Sequence, residues 1–199
     1  MHQQHITSYL DAVKEIAEKV NKEDICSLIK EMESLKRFGG RLFIIGVGGS
    51  AGNASHAVND FRKIVGIESY APTDNVSELT ARANDEGWDT TIWKWLEVSK
   101  LDQNDAILVF SVGGGSDHTS YNLVKAMEYA KSKGSKILSI VSRDGGKSKE
   151  LSDCCILIPV INQESITPHA EEWQGIIWHM VVSYFMSVKD DRFTNLNIC

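Results

Sequence analysis

Two loops of matching chemistry stand out in the sequence. Gly46-Val47-Gly48-Gly49-Ser50 and Ser111-Val112-Gly113-Gly114-Gly115-Ser116 each follow an apolar run and each lead into a helical pattern. Glycine lets backbone N–H groups approach an anion closely, serine hydroxyls add hydrogen bonds, and a helix N-terminus contributes partial positive charge. Two such loops in one chain predict a site for a sugar phosphate.

Titratable side chains flank both loops. His56 and Asp60 lie on the helix that leaves the first loop, and an i, i+4 spacing rotates the second by only about 40° from the first. Glu171, Glu172 and His179 lie on a long final helix beside an apolar stripe of Trp173, Ile176, Ile177, Met180, Val181 and Tyr184. On an ideal helix Glu172 falls within about 20° of His179 and Glu171 about 80° away, so geometry alone pairs His179 with Glu172. Two carboxylates and two histidines from two helices form a donor set for Zn²⁺ or another divalent metal. The other histidines carry less: His118 follows the second loop, His169 opens the last helix, and His2 and His5 belong to an expected mobile tail. Asn84-Asp85, followed by Glu86-Gly87, reads by itself as a helix stop and turn.

A rival motif overlaps the first loop. Gly46 to Ala51 satisfies G-x-G-x-x-A, with Glu68 22 residues beyond Gly46, as a dinucleotide fingerprint would have it. That reading leaves the second loop and the His56/Asp60 pair unexplained.

These side chains must be positioned by an α/β scaffold. Apolar positions at Ile6, Leu10, Val13, Ile16 and Val20, then Ile25, Leu28, Ile29, Met32 and Leu35, predict an N-terminal helical arm over residues 1–37, broken near Asn21. Strands are predicted at 41–46, 68–71, 106–111, 136–141 and 155–160. Helices are predicted at 51–64, 76–83, 90–98 with Asp89 as N-cap, 119–133, and 168–188 opened by Pro168. Alternating strand and helix predict a three-layer sandwich with a five-stranded parallel sheet, in one domain spanning 1–199. Ligands of such sheets sit beyond the strand carboxyl ends where strand order reverses, which is where both loops lie.

Composition narrows the partners. With 27 acidic against 21 basic residues and a net charge of −6, the basic residues scattered, there is no footprint for nucleic acid. The apolar runs are too short for a membrane span, so a soluble cytoplasmic protein is expected. Cys26, Cys154, Cys155 and Cys199 lack CxxC spacing and are expected as free thiols. The helical arm and the last helix, with Trp173 and Trp178, offer surplus apolar surface that suggests subunit contacts.

Taken in order, the first loop with His56, the stretch Leu79-Thr80-Ala81-Arg82-Ala83-Asn84-Asp85, the second loop, and the helix with Glu171 and His179 resemble the sugar isomerase (SIS) domain of phosphoheptose isomerases over nearly the whole chain. The resemblance implies a flavodoxin-like strand order and conversion of sedoheptulose 7-phosphate to D-glycero-D-manno-heptose 7-phosphate in heptose biosynthesis. It further implies a cytoplasmic homotetramer with zinc in each site. It implies that Gly48, Gly49, Ser50, Ser111, Gly113 and Ser116 hold the sugar phosphate, and that Asn84 and Asp85 lie along the substrate. His56, Asp60, Glu171 and His179 would bind the metal, so the resemblance selects Glu171 where helix geometry selects Glu172. The chain departs from the family pattern at Val47 for asparagine, at Val112, Gly113 and Gly115 in the second loop, at Asp60 for glutamate and at Glu171 for glutamine.

An aldose–ketose isomerase moves a proton between C1 and C2 through an enediol, which needs a base, an acid near the carbonyl and a stabiliser of the oxyanion. Asp60 is the expected base at carbon and His179 the acid/base at oxygen, with the roles of Asp60 and Glu171 exchangeable. Two rivals stand beside this reading: an isomerase of another phosphosugar, and a non-catalytic sugar-phosphate-binding regulator.

Overall fold

Period-two alternation divides the strand side chains between two cores. Leu42, Ile44, Leu108, Phe110, Leu138 and Ile140 enter one apolar cluster, and Phe43, Ile45, Ile107, Val109 and Ile137 enter the other. They come from β1 (Leu42–Gly46), β3 (Ala106–Phe110) and β4 (Lys136–Ser142); β1 and β3 are buried at every position, as strands covered on both faces must be. A computed structural model describes residues 1–189 of the chain. It joins these strands with β2 (Ser69–Tyr70) and β5 (Cys154–Ile158) in one parallel sheet of order β2-β1-β3-β4-β5. This is the expected flavodoxin-like order. Strand order reverses between β1 and β3, and the two Gly/Ser loops follow those two strands.

Helices cover both faces. They are α1 (His2–Lys19), α2 (Lys22–Phe38), α3 (Gly49–Asp60), α4 (Val76–Asp85), α5 (Thr91–Val98), α6 (Tyr121–Ser132), α7 (Gly146–Leu151) and α8 (Ile166–Lys189). Residues of α1, α2, α3 and α8 fill the first core, while α5 and α6 fill the second. The arm breaks where expected. Asn21 caps α2 by accepting the Glu23 N–H at 2.9 Å, Glu23 and Asp24 lie in the first turn, and Gly39 ends the helix at φ +70°.

Several expectations are corrected. Residues 2–5 form the first turn of α1 and not a loose tail. Asp89 is not a cap: it lies inside a 3₁₀ turn, Trp88–Thr90, and α5 starts at Thr91. Pro168 is the third residue of α8, still among the first four, whose N–H groups have no intrahelical partner. Six-residue α7 was not anticipated, being too short to show a period. Trp173 and Trp178 are buried in the core, leaving Ile176, Met180, Met186 and Val188 as the exposed apolar side chains of α8. Cys154 and Cys155 are free, but Cys26 is disulfide-bonded, because spacing motifs detect only cysteines close in sequence. Cys199 lies outside the described residues.

Candidate active site

The first loop is shaped by close backbone approach. A Cβ on Gly46 would sit 2.6 Å from the carbonyl carbon of Ser50, and Gly48 adopts φ +65°, so neither position accommodates a side chain without strain. The chain thereby turns directly from β1 into α3. Helix α3 runs to Asp60 and continues as one π-helical turn, Phe61–Val65, closed by Gly66 at φ +80°. Such turns are frequent at functional sites because they re-aim the side chains beside them.

A buried polar clasp fixes α8 against α3. Asn53 Nδ2 donates to the Glu171 carbonyl at 2.8 Å and to Gln174 Oε1 at 3.0 Å, while Gln174 Nε2 donates to Ser50 Oγ at 3.1 Å. Gln174 is fully buried and its amide is engaged at both ends, as a polar group inside a core must be. The clasp sets the register of α8, and one turn further on His179 faces the end of α3.

There His56, Asp60 and His179 converge, one ligand atom from each lying within 4.8 Å of the others. Asp60 Oδ2 is 3.7 Å from His179 Nε2 and 4.0 Å from His56 Nε2, and Asp60 Oδ1 accepts from Asn59 Nδ2 at 2.9 Å. The carboxylate is buried, while both imidazoles are more than half exposed. The tautomer of His179 follows from its surroundings. Its Nδ1 is 2.8 Å from the Gly175 carbonyl, which can only accept, so Nδ1 carries the hydrogen and a neutral ring leaves the Nε2 lone pair toward Asp60. A backbone carbonyl holding the far nitrogen is the usual support of a metal-binding histidine. Two imidazole nitrogens and one carboxylate oxygen suit Zn²⁺ or a similar divalent ion.

The two glutamates separate. Glu172 points to the helical arm, accepting from the Tyr9 hydroxyl and pairing with the buried His169 Nδ1 at 3.1 Å. Ideal helix geometry had paired Glu172 with His179, but Tyr9 and His169 draw it away. That hydrogen bond, reinforced by burial, pushes the Tyr9 hydroxyl up to about 12. The Glu171 carboxylate lies over Gly49 and fills the space that a Cβ there would need. It stands apart from the three-residue cluster, at the positive end of α3.

The second loop is pinned from behind. Ser148 N–H and Oγ donate to the Gly114 carbonyl at 2.9 and 2.8 Å, and Lys147 N–H donates to Gly115 at 3.0 Å. Within the loop, Ser111 Oγ accepts from Gly114 N–H, and Ser116 Oγ accepts from the N–H groups of His118 and Thr119. Each serine oxygen is thus engaged as an acceptor, which leaves its O–H free to donate. Ser111, Gly113 and Ser116 line a cleft of about 810 Å³. Asn84 and Asp85 close α4 as the expected helix stop; they are exposed and hydrogen-bonded to each other at 2.7 Å. Among the described residues no hydrogen bond or ion pair ties them to either loop or to the histidines.

Sequence reasoning missed three contributors: Asn53, Gln174, and the Arg143–Gly146 turn behind the second loop. The turn had a readable signal, Gly145-Gly146 separated from the end of a strand by only two residues; the clasp had none, since it joins residues 121 apart.

Comparison with known proteins bears on the fold and the family. A family model described as SIS domain matches residues 8–142. The phosphoheptose isomerase of Helicobacter pylori (strain HPAG1) is 30% identical over 186 residues, covering 90% of this chain and 91% of that protein. Among solved structures, a phosphoheptose isomerase from Neisseria gonorrhoeae superposes with a TM-score of 0.80 at 24% identity, covering 94% of this chain and 100% of that one. One from Francisella tularensis gives 0.79 at 22%, covering 93% and 96%. The chain belongs to the SIS domain family and, within it, to the phosphoheptose isomerases.

Proposed function

We propose that the chain is a sugar-phosphate isomerase that interconverts sedoheptulose 7-phosphate and D-glycero-D-manno-heptose 7-phosphate through an enediol. The observation that carries the reading is the convergence of His56, Asp60 and His179 from two helices, one of which begins at a Gly/Ser loop. A sugar-phosphate-binding regulator has no need of a buried carboxylate set against two imidazoles.

The phosphate is held in the cleft of the second loop by the O–H groups of Ser111 and Ser116 and by backbone at Gly113. The first loop, with Gly48, Gly49 and Ser50, holds the sugar, and Asn84 and Asp85 extend along it. Asp60 takes the proton from C1 of the ketose and returns it to C2. While Nε2 carries no ion, His179 moves the accompanying proton between O1 and O2, its orientation fixed by Gly175; with an ion on Nε2 that lone pair would be taken and His179 would act as a ligand alone. A divalent ion, zinc by the resemblance, would be held by His56, Asp60 and His179, with Glu171 as the fourth candidate implied by the resemblance, and would polarise the substrate oxygens and stabilise the developing negative charge. Glu171, where the family carries glutamine, adds negative charge beside the first loop.

Exposed Ile6 and Leu10 on α1, together with Ile176 and Met180 on α8, support self-association of the chain, as a homotetramer by the resemblance. No helix among the described residues is long and apolar enough to cross a membrane, in keeping with a cytoplasmic enzyme.

The test is proton NMR with sedoheptulose 7-phosphate in D₂O, with Zn²⁺ supplied. Aldose signals and deuterium at carbon are expected. Absence of both, with the sugar phosphate still bound, would refute the heptose reading and favour another phosphosugar or a regulatory role.

A further inference from the structure

Arg143 is a cation with no partner among the described residues, in a place built with unusual backbone. Among the described residues it has no ion pair, although nearby Lys147 is paired with Glu150 at 2.8 Å. It sits at φ +58°, in the left-handed region that a β-carbon disfavours. Residues held there are maintained by their surroundings and cluster at functional sites. The surroundings here are explicit. Loops 111–116 and 143–146 touch backbone to backbone, so a Cβ on Gly146 would sit 2.6 Å from the Gly115 oxygen.

The result places Arg143 on the cleft of the second loop. It is the one basic residue among those lining it, together with Ser111, Gly113, Ser116 and Thr119. Its Cδ lies 3.8 Å from where a Cβ on Gly113 would be, so the side chain passes in van der Waals reach of the loop backbone. Asp144 also lines the cleft, but its Oδ1 accepts from Gly146 N–H at 3.2 Å, which turns it back to the backbone. The first N–H groups of α7 are engaged by the carbonyls of Gly114 and Gly115 and offer nothing to a ligand. The helix that the loop opens, α6, brings only the partial charge of its N-terminus to Thr119 and Ser120 on the rim, so a full positive charge for an anion in this cleft comes from a side chain.

We propose that Arg143 is the cationic partner of the substrate phosphate and sets the preference of this site for a phosphorylated sugar. The second loop supplies two hydroxyls and glycine backbone; the guanidinium supplies the charge and a planar fork that matches two phosphate oxygens. This rests on the sugar-phosphate reading of the cleft.

The experiment measures binding of inorganic phosphate by calorimetry to wild type, Arg143→Gln, Arg143→Lys and Arg143→Asn, alongside KM and kcat for sedoheptulose 7-phosphate. Asparagine tolerates the left-handed conformation, so at least one neutral variant keeps the turn; thermal unfolding verifies the fold of each. The neutral variants should lose phosphate affinity and raise KM by about 10- to 100-fold, the range for a lost charge-assisted hydrogen bond, with kcat within a few-fold. Lysine should recover part of the loss. Folded Asn or Gln variants that bind phosphate like wild type would overturn the proposal, as would wild type that binds none. Phosphate binding that depends on Arg143 in a protein that fails to turn over the heptose phosphate would support it while removing the proposed reaction, so the two readings fail separately.

Discussion

His179 Nε2 faces Asp60 Oδ2 at 3.7 Å across two helices, with no hydrogen bond between them. The distance is too long for a direct proton relay and short enough for both atoms to share one ion or one substrate oxygen. Replacing His179 with Asn removes Nε2 and leaves α8 intact. Turnover should fall by about a hundred- to ten-thousand-fold, the usual contribution of a general acid/base. Phosphate binding should stay within about twofold, because the cleft touches α8 only at Ile166, its first residue, 13 positions before His179. Calorimetry with inorganic phosphate and the NMR assay check the two halves, and retained turnover would remove His179 from the mechanism.

Gly49 and Glu171 form a second coupled pair. Gly49 has no positive φ, so alanine suits its backbone, and the three atoms nearest its new Cβ all belong to the flexible end of Glu171. Gly49→Ala should therefore change stability by less than about 1 kcal/mol, yet it displaces the carboxylate from the site. We expect kcat/KM to drop about tenfold. In a Glu171→Ala background the same change should have no further effect, since the displaced group is gone. Independent, multiplying losses in this double-mutant cycle would show that Gly49 acts through something other than Glu171.

The parallel sheet was legible because β1, β3 and β4 are largely apolar on both faces and each ends in, or is followed at once by, glycine or serine, a local signal. The cluster was legible in part for the same reason, since His56 and Asp60 are one helical turn apart. Glu171 and Glu172 could not be told apart, because their directions are set by Gly49 and Tyr9, residues 122 and 163 positions away. Helix phase alone chose Glu172, and contacts with Tyr9 and His169 turn that side chain to the arm instead. The buried amide of Gln174 was equally invisible, since a glutamine beside a tryptophan in a helix signals nothing until its two partners are known.

Tyr9 gives the arm a pH signature. Its hydroxyl donates to Glu172 and is raised to about 12, from an ordinary 10. A folded value above the unfolded one means that the protonated form is favoured by folding. The stabilisation is complete below pH 10 and is lost as pH rises toward 12. Tyr9→Phe should remove it, so denaturation curves of the two proteins should differ by a constant amount below pH 10 and converge above it. A difference that persisted unchanged to pH 12 would show that the contact owes nothing to the hydroxyl proton.

Metal binding offers the sharpest test of the histidine cluster that does not depend on turnover. An ion that binds the folded chain alone stabilises it by RT ln(1 + [L]/Kd), about 2.7 kcal/mol at a hundredfold excess over Kd. Thermal unfolding of wild type should therefore rise with added Zn²⁺ and fall back with a chelator. His56→Ala removes one of three donors from an exposed position, so it should weaken the ion's hold while leaving metal-free stability within about 0.5 kcal/mol. Gln174→Leu acts differently. It leaves Asn53 and Ser50 without their buried partner, so it should lower metal-free stability by about 1–3 kcal/mol and weaken Zn²⁺ through the shifted register of α8. Equal Zn²⁺ responses in wild type and His56→Ala would place the ion elsewhere, whereas loss in both variants, with a metal-free penalty in Gln174→Leu alone, separates a ligand from the clasp that positions it.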